Sequence, residues 1–237
     1  MTAPLANNHI SVDCVVFGFD GEDLRVLLIK RDGSDAEGEF SDMKLPGSLI
    51  YMDEDLDGAA SRVLMELTGV SDVTLSQFKA FGSKDRTSNP RDVHWLERAQ
   101  KARVERIVTV AYFALVKLDR MMKKAVDPAV ARWCKIDELG VLAFDHNQII
   151  EEAIRAIRRE ADNNRSLIFD LLPKKFTISQ FRMLMEIIYG KQYDIRNFHK
   201  KVSQLPYIVP LDEHQQGVAH RAARFYKFDR KTYSGSR

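Results

Sequence analysis

The chain has 237 residues, 45% hydrophobic and 30% charged, with a formal net charge of +2. This is the composition of a globular protein with room for one large domain or two smaller ones. No apolar run reaches membrane-spanning length, Met1 to His9 lack the basic and apolar regions of a signal peptide, and Cys14 and Cys134 have no zinc spacing. The expectation is a cytoplasmic protein, free of the membrane, with two buried, reduced thiols. The small net charge hides an asymmetry. From Pro173 onward there are 13 Lys+Arg against 5 Asp+Glu, and 23 against 29 before it. An acidic body joined to a basic module points to a polyanion as the partner of the module.

In chain order, Ile10 to Phe19 reads as a strand buried on both faces, and Leu24 to Lys30 as a second, across the turn Asp20-Gly21-Glu22-Asp23. Gly33 to Asp42 is polar and reads as a loop. Leu56, Ala59, Ala60, Val63, Leu64 and Leu67 recur at helical spacing, with Gly69 as the stop and Arg62 and Glu66 one turn apart off the apolar stripe. Val73 to Phe81 is a strand candidate. Asp92 to Arg103 is a polar excursion with a short helix over Trp95 to Ala102. Val104 to Lys117 is a long strand, and Ala131 to Ile136 a short one. His146 to Asn163 is an amphipathic helix that closes a first domain. Asp162-Asn163-Asn164-Arg165-Ser166 is the composition break, which sets expected domains of 1–165 and 166–237.

In the second part, a helix capped near Thr177 buries Phe181, Leu184, Met185 and Ile188 and ends at Gly190. Asp194 caps another, with Ile195, Phe198, Val202 and Leu205 inward and Arg196, Asn197, His199, Lys200 and Lys201 outward. Tyr207 to Pro210 and Arg224 to Phe228 read as two strands. Helix, turn, basic helix, ribbon is the order of a winged helix-turn-helix, which places its second helix in the major groove of double-stranded DNA. Arg pairs bidentately with guanine and Asn with adenine; Lys200, Lys201, Arg221, Arg224 and Lys227 suit phosphates. The alternative for this module is a subunit contact with a basic face.

The segment Pro46 to Val70 resembles the Nudix box, matching it at Glu54, Arg62, Leu64, Glu66, Gly69 and Val70. Ser48 stands where the box has its first Gly, and Val63 and Leu67 stand where it has carboxylates that gather Mg²⁺. The resemblance therefore implies a Nudix fold with damaged hydrolytic chemistry, no catalytic residue, no metal site and no required cofactor. Phe176 to Phe181, Ile187 to Gly190, Asp194 to Phe198 and Phe144-Asp145-His146 resemble the Nudix-related transcriptional regulators over nearly the whole chain. That resemblance implies an α+β protein: a Nudix-type α/β/α sandwich with a mixed sheet, then a winged helix-turn-helix. It implies a homodimeric repressor of NAD-biosynthesis genes on a palindromic operator, released by ADP-ribose as nucleotide effector. Related members respond to sugars. Glu54 and Glu66 belong to the expected effector site, with Arg31, Arg86, Arg91 and Arg106 as candidates for its diphosphate. Asp85-Arg86 and Pro90-Arg91 are like elements of the family. Phe81, Trp95 or Tyr112 could stack adenine. An active nucleoside-diphosphate hydrolase with a basic accessory domain, and a protein-interaction module, are the rival classes.

Overall fold

The computed structural model describes residues 5–35, 38–100, 103, 106–217 and 222–234. The β-branched run at the start forms β1 (Ala6–Phe19), whose side chains alternate between two cores. Val15, Phe17 and Phe19 face one; Val12, Cys14 and Val16 face the other. Along one edge β1 pairs in parallel with β6 (Val108–Lys117) from Ile10↔Val108 to Phe19↔Lys117. Its other edge is shared. The last residues pair with β2 (Leu24–Asp35), and the first half with β4 (Gly47–Tyr51). The strands β3 (Gly38–Lys44), β5 (Ser76–Phe81) and β7 (Ala131–Lys135) complete a seven-stranded mixed sheet of order β3-β2-β1-β6-β5, with β4 on β1 and β7 on β2.

Helix α1 (Leu56–Thr68) covers one face with Ala59, Ala60, Val63 and Leu64; α4 (His146–Asn163) covers the other with Ile149, Ile150, Ala153 and Ile157. The result is a three-layer sandwich. Helix α2 (Pro90–Gln100) lies against β2, and the short α3 (Arg120–Ala125) follows β6.

Beyond α4 a 3-10 helix, Arg165–Asp170, leads into α5 (Ile178–Tyr189), α6 (Ile195–Ser203), the ribbon β8 (Ile208–His214) and β9 (Arg224–Phe228), and α7 (Arg230–Ser234). The apolar core does not stop at residue 165. One contiguous cluster runs from Phe17 and Phe113 in the sheet through α4 and Phe169 to Phe181, Phe198 and Ile208. Phe169 stacks flat on Phe228 at 4.0 Å between centroids, which fastens the 3-10 segment to the ribbon.

Several expectations are corrected. In the polar stretch Gly33 to Asp42, expected as a loop, residues 33–35 and 38–42 are strand, paired from Asp35↔Gly38 to Ile29↔Lys44, and residues 36–37 lie outside the described residues. An edge hairpin is held by its backbone ladder and can carry polar side chains on both faces. The excursion helix starts at Pro90, where proline's fixed φ suits a first helical position, rather than at Trp95. Val73 lies outside β5, which begins at Ser76, and β8 runs on past Pro210 to His214. Val104 falls outside the described residues. Cys14 is buried, but Cys134 is only half-buried.

Where β4 joins β1, Cys14 N–H donates to the Pro46 carbonyl at 2.8 Å, which draws the backbone of residues 46–47 tightly onto β1. A Cβ on Gly47 would overlap the Asp13 carboxylate and lie 2.9 Å from the Val12 carbonyl. Gly47→Ala should therefore cost about 1–3 kcal/mol or more through overpacking. Urea denaturation of both proteins checks this, and an unchanged midpoint would overturn it.

Candidate functional site

The turn after β4 and the start of α1 are built locally. Asp55 caps the helix, accepting from Gly58 N–H at 2.7 Å, and Gly69 ends it in the left-handed region at φ 73°. Glu54 accepts from Tyr51 N–H at 2.7 Å and from Arg62 Nε at 2.8 Å. Arg62 also reaches Glu66 at 3.1 Å and lies 3.8 Å from the centre of the Tyr51 ring. The Arg62 hydrogen bonds hold the Glu54 carboxyl below its usual range. The two box glutamates are thus tied to one guanidinium, and Glu66 keeps the more open side chain, 55% exposed against 16%. Val63 is fully buried, Leu67 is half-buried against the same core, and Ser48 lines a small cavity. No group of three or more His, Cys, Asp or Glu could hold a metal ion among the described residues.

That cavity, about 70 Å³, is floored by buried charges that arrive from four places in the chain. Asp13 comes from β1, Lys44 from β3, Arg86 from the turn after β5, and His146 from the start of α4. Arg86 forks onto Asp145 at 2.9 and 3.1 Å and lies 3.6 Å from Asp13. Asp145 occupies the N-cap position of α4 but spends its carboxylate on Arg86 instead of the helix N–H groups. Lys44 Nζ donates to the carbonyls of Leu45 and Gly47 at 3.1 and 2.9 Å. Leu45 N–H donates to His146 Nδ1 at 2.9 Å, so the ring proton sits on Nε2, which faces Asp13 Oδ1 at 3.5 Å.

Burial pushes His146 down to about 4 against the pull of Asp13, and lowers Lys44 to about 8. Burial raises Asp13, but the His146 ring, Arg86 and Lys44 outweigh it and hold the carboxyl low. The cavity therefore presents a fixed guanidinium, a buried amine and a neutral imidazole. Trp95 completes a wall, with Lys44 Nζ 5.7 Å from its ring.

The four candidate arginines do not converge. Arg31 is 2% exposed and does not line the cavity. Its Nε donates to Asp42 at 2.7 Å and its Nη1 to Asp92 at 2.6 Å, inside a cage of Phe40, Trp95 and Phe144 rings 5.2–5.6 Å away. Its guanidinium is engaged by the buried Asp92 and the partly exposed Asp42, and its expected place at a strand end is corrected to one within β2, where it acts as a structural clamp. Asp92 holds the clamp from the other side, since it also accepts from Phe144 N–H at 3.0 Å, a residue at φ 56°. Arg91 pairs with Asp35 at 2.6 Å beside a broad groove between α2 and the hairpin. Arg106 donates to the Gly82 carbonyl at 2.7 Å on the exposed side. Arg86 is the candidate arginine that lines the cavity. Among the aromatics, Phe81 and Tyr112 are core residues, with Tyr112 Oη on Asp57 at 2.6 Å, and Trp95 alone faces the cavity. Lys44 and Asp13 were missed by sequence reading. The available signal was a single carboxylate inside the apolar run Val12 to Val16.

In the second part, Thr177 and Gln180 form a reciprocal capping box on α5, and Gly190 ends it at φ 63°. Asp194 caps α6, accepting from Asn197 N–H at 2.9 Å. Phe198 and Val202 are buried; Ile195 is 57% exposed rather than inward, because it is the first residue of α6. Arg196, Asn197, His199, Lys200 and Lys201 are exposed, and none of the cations among them has a carboxylate within ion-pairing distance among the described residues. In the ribbon Lys227 is exposed, while Arg224 is engaged by Asp212 at 2.9 Å. Arg221 lies outside the described residues.

Residues 7–157 match the NUDIX domain model. The chain belongs to the Nudix family. Its Nudix domain is followed by a segment, residues 168–228, that matches the NrtR DNA-binding winged helix domain. The ADPR responsive transcriptional repressor NtrR of Acinetobacter baylyi is 25% identical over 228 residues, 94% of this chain and 83% of that one. An ADP-ribose pyrophosphatase of Methanocaldococcus jannaschii is 28% identical over 140 residues, 59% of this chain and 72% of that one. The crystal structure of Shewanella oneidensis NrtR complexed with a 27mer DNA is 24% identical, covers 95% of both chains and superposes with a TM-score of 0.65. That likeness extends the same two-part fold over 95% of the chain, α+β with a mixed sheet and a winged helix. No helix among the described residues is long and apolar enough to cross a membrane.

Between pH 6.5 and about 4, an unfolded chain protonates residue 146 while the folded chain does not. The stability conferred by neutral His146 is therefore complete above pH 6.5 and is lost as pH falls toward 4. His146→Gln, which keeps an acceptor for Leu45 N–H, should flatten this limb. Urea midpoints from pH 5 to 7.5 check it, and parallel curves for the two proteins would overturn it.

Proposed function

We propose that this chain is a cytoplasmic, DNA-binding transcriptional repressor of NAD-biosynthesis genes, lowered in operator affinity by ADP-ribose or a related metabolite. Residues 1–165 form its effector part and 166–237 its DNA-binding part. The observation that carries this reading is α6: an exposed row of Arg196, Asn197, His199, Lys200 and Lys201, its cations without a carboxylate partner among the described residues, within a segment that matches a DNA-binding winged helix model. A homodimer would set two such helices on a palindromic operator. The ADPR responsiveness of the Acinetobacter baylyi relative supports the effector, and the cavity bearing Arg86, Lys44 and Trp95 supplies chemistry for an anionic, aromatic ligand. Glu54, Glu66, Arg91 and Arg106 belong to the wider effector surface in this reading.

An effector acts only through a difference in affinity between two arrangements. The lever is α4. Its first residue is His146 of the cavity, its N-cap Asp145 holds Arg86, and its far end holds α5: Arg158 Nε donates to the Ile188 carbonyl and Tyr189 Oη to Asp162 at 2.9 Å.

The pyrophosphatase relative and the Glu54–Arg62–Glu66 set favour a second reading, hydrolysis of ADP-ribose. Val63 and Leu67 can supply no oxygen to Mg²⁺, so turnover should be negligible. Robust Mg²⁺-dependent ADP-ribose turnover, abolished by Glu66→Gln, would replace the repressor reading with the enzymatic one.

Binding to operator and scrambled duplexes across a salt series tests the DNA reading. Arg196→Ala and Asn197→Ala should each cost about 1–3 kcal/mol on operator and less on scrambled DNA. Lys201→Ala should weaken both and reduce the salt slope by about one unit. Equal losses on both duplexes for folded Arg196→Ala and Asn197→Ala would show that α6 does not read bases. Calorimetry showing a sugar bound and no ADP-ribose would change the effector.

A further inference from the structure

A second cavity, about 330 Å³, lies at the other end of α4, where Ala161 and Asp162 meet the 3-10 segment, α5, α6 and Tyr207. From His146 to Asp162 the helix rises about 24 Å at 1.5 Å per residue, so this space is separate from the one above the buried charges. Its walls are aromatic and aliphatic: Phe169, Phe181, Phe198, Tyr193, Met185 and Leu205. Its size falls at the low end of ligand sites.

The lining also has a sign. Arg165, Lys191 and Lys201 stand in it, and none has a carboxylate within ion-pairing distance among the described residues. Asp162, the one lining carboxylate, accepts from Tyr189 Oη at 2.9 Å. Lys191 Nζ lies 5.1 Å from the centre of the Tyr193 ring, another lining residue. An apolar chamber with three free cations and one occupied anion suits a guest with an apolar ring and a negative end.

We propose that this cavity is a second ligand site, which takes a small aromatic carboxylate with its ring among Phe169, Phe181, Phe198 and Met185 and its carboxylate on Lys191, Lys201 and Arg165. Phe198, Lys201 and Val202 all belong to α6, so the guest sits against the inner face of that helix and draws Lys201 inward. Its effect on DNA rests on the repressor reading above and is an antagonism: Lys201 cannot serve a ligand carboxylate and a phosphate together.

The test uses the full-length protein, with 3-phenylpropionate and its uncharged amide as probes, by calorimetry and ligand-observed NMR without DNA. The acid should bind at least ten-fold more tightly than the amide. Lys191→Gln with Lys201→Gln should bring the acid to the amide's level. Met185→Trp should fill the chamber and abolish binding while leaving ADP-ribose affinity and circular dichroism unchanged, and Leu205→Phe serves where Met185→Trp does not fold. Absence of binding by both probes at millimolar concentration, equal binding of acid and amide, or undiminished binding to a folded Met185→Trp or Leu205→Phe protein would each overturn the site. A parallel DNA titration separates the two claims. Reduced operator retention with the acid supports the antagonism; binding of the acid with unchanged retention overturns it. A protein that retains no DNA at all overturns the repressor reading, and calorimetry still decides the site.

Discussion

A carboxylate in the middle of a buried strand is the constraint on which the rest of the molecule depends. Asp13 sits in β1 between residues with no exposure at all. An ionised carboxylate there is tolerable only with partners, because burying a lone charge costs more than a domain's margin of stability. Meeting that requirement draws Arg86 and His146 onto one point, with Lys44 close by, from elements far apart in sequence. Arg86 then needs Asp145, and Asp145 begins α4. The register of β4, the path of the chain after β5 and the direction of α4 are therefore set together. Displacing Arg86 leaves the Asp13 carboxylate buried without its guanidinium, which favours a small number of discrete arrangements over a continuum.

Helix α4 carries that rigidity outward. Its apolar face packs on the sheet, and its last turns pack on α5, so a change at its first turn has no soft joint in which to dissipate. The Arg31 clamp does the same for α2. Asp92 binds both Arg31 and the backbone of Phe144, and so the excursion helix is fastened to the residue pair that opens α4. A wall of the charged cavity and the lever beneath it share one attachment.

Much of this was legible in the sequence because it is local. The apolar periodicities of α1, α4 and α5, the caps at Asp194 and Thr177, and the stops at Gly69 and Gly190 each depend on residues within a turn or two. The two-sided burial of β1 was written in its uninterrupted Val, Cys and Phe run. What failed was partnership over distance. Arg31 looked free at a strand end because Asp92, 61 residues away, is invisible to any window. The β2–β3 hairpin looked like a loop because an edge ladder needs backbone partners, not apolar side chains. Tyr112 was a candidate for stacking adenine, yet its hydroxyl finds Asp57 and the ring is buried. The charged cavity was the least legible part, since its members come from β1, β3, a turn and a helix start.

The stacked pair Phe169 and Phe228, and the cluster that runs through them from the sheet to α6, bear on how such chains are assembled by recombination. A crossover at the composition break near residue 165 would exchange a winged helix along with half of a core, and strand apolar faces of α4 and α5 against foreign neighbours. A productive exchange must carry α4 with the part that follows it, or rebuild both sides of the junction at once. Chains of this architecture are therefore expected to trade sensing parts less freely than their two-part sequence composition implies, and new specificities to arise within the cavities rather than by shuffling whole parts.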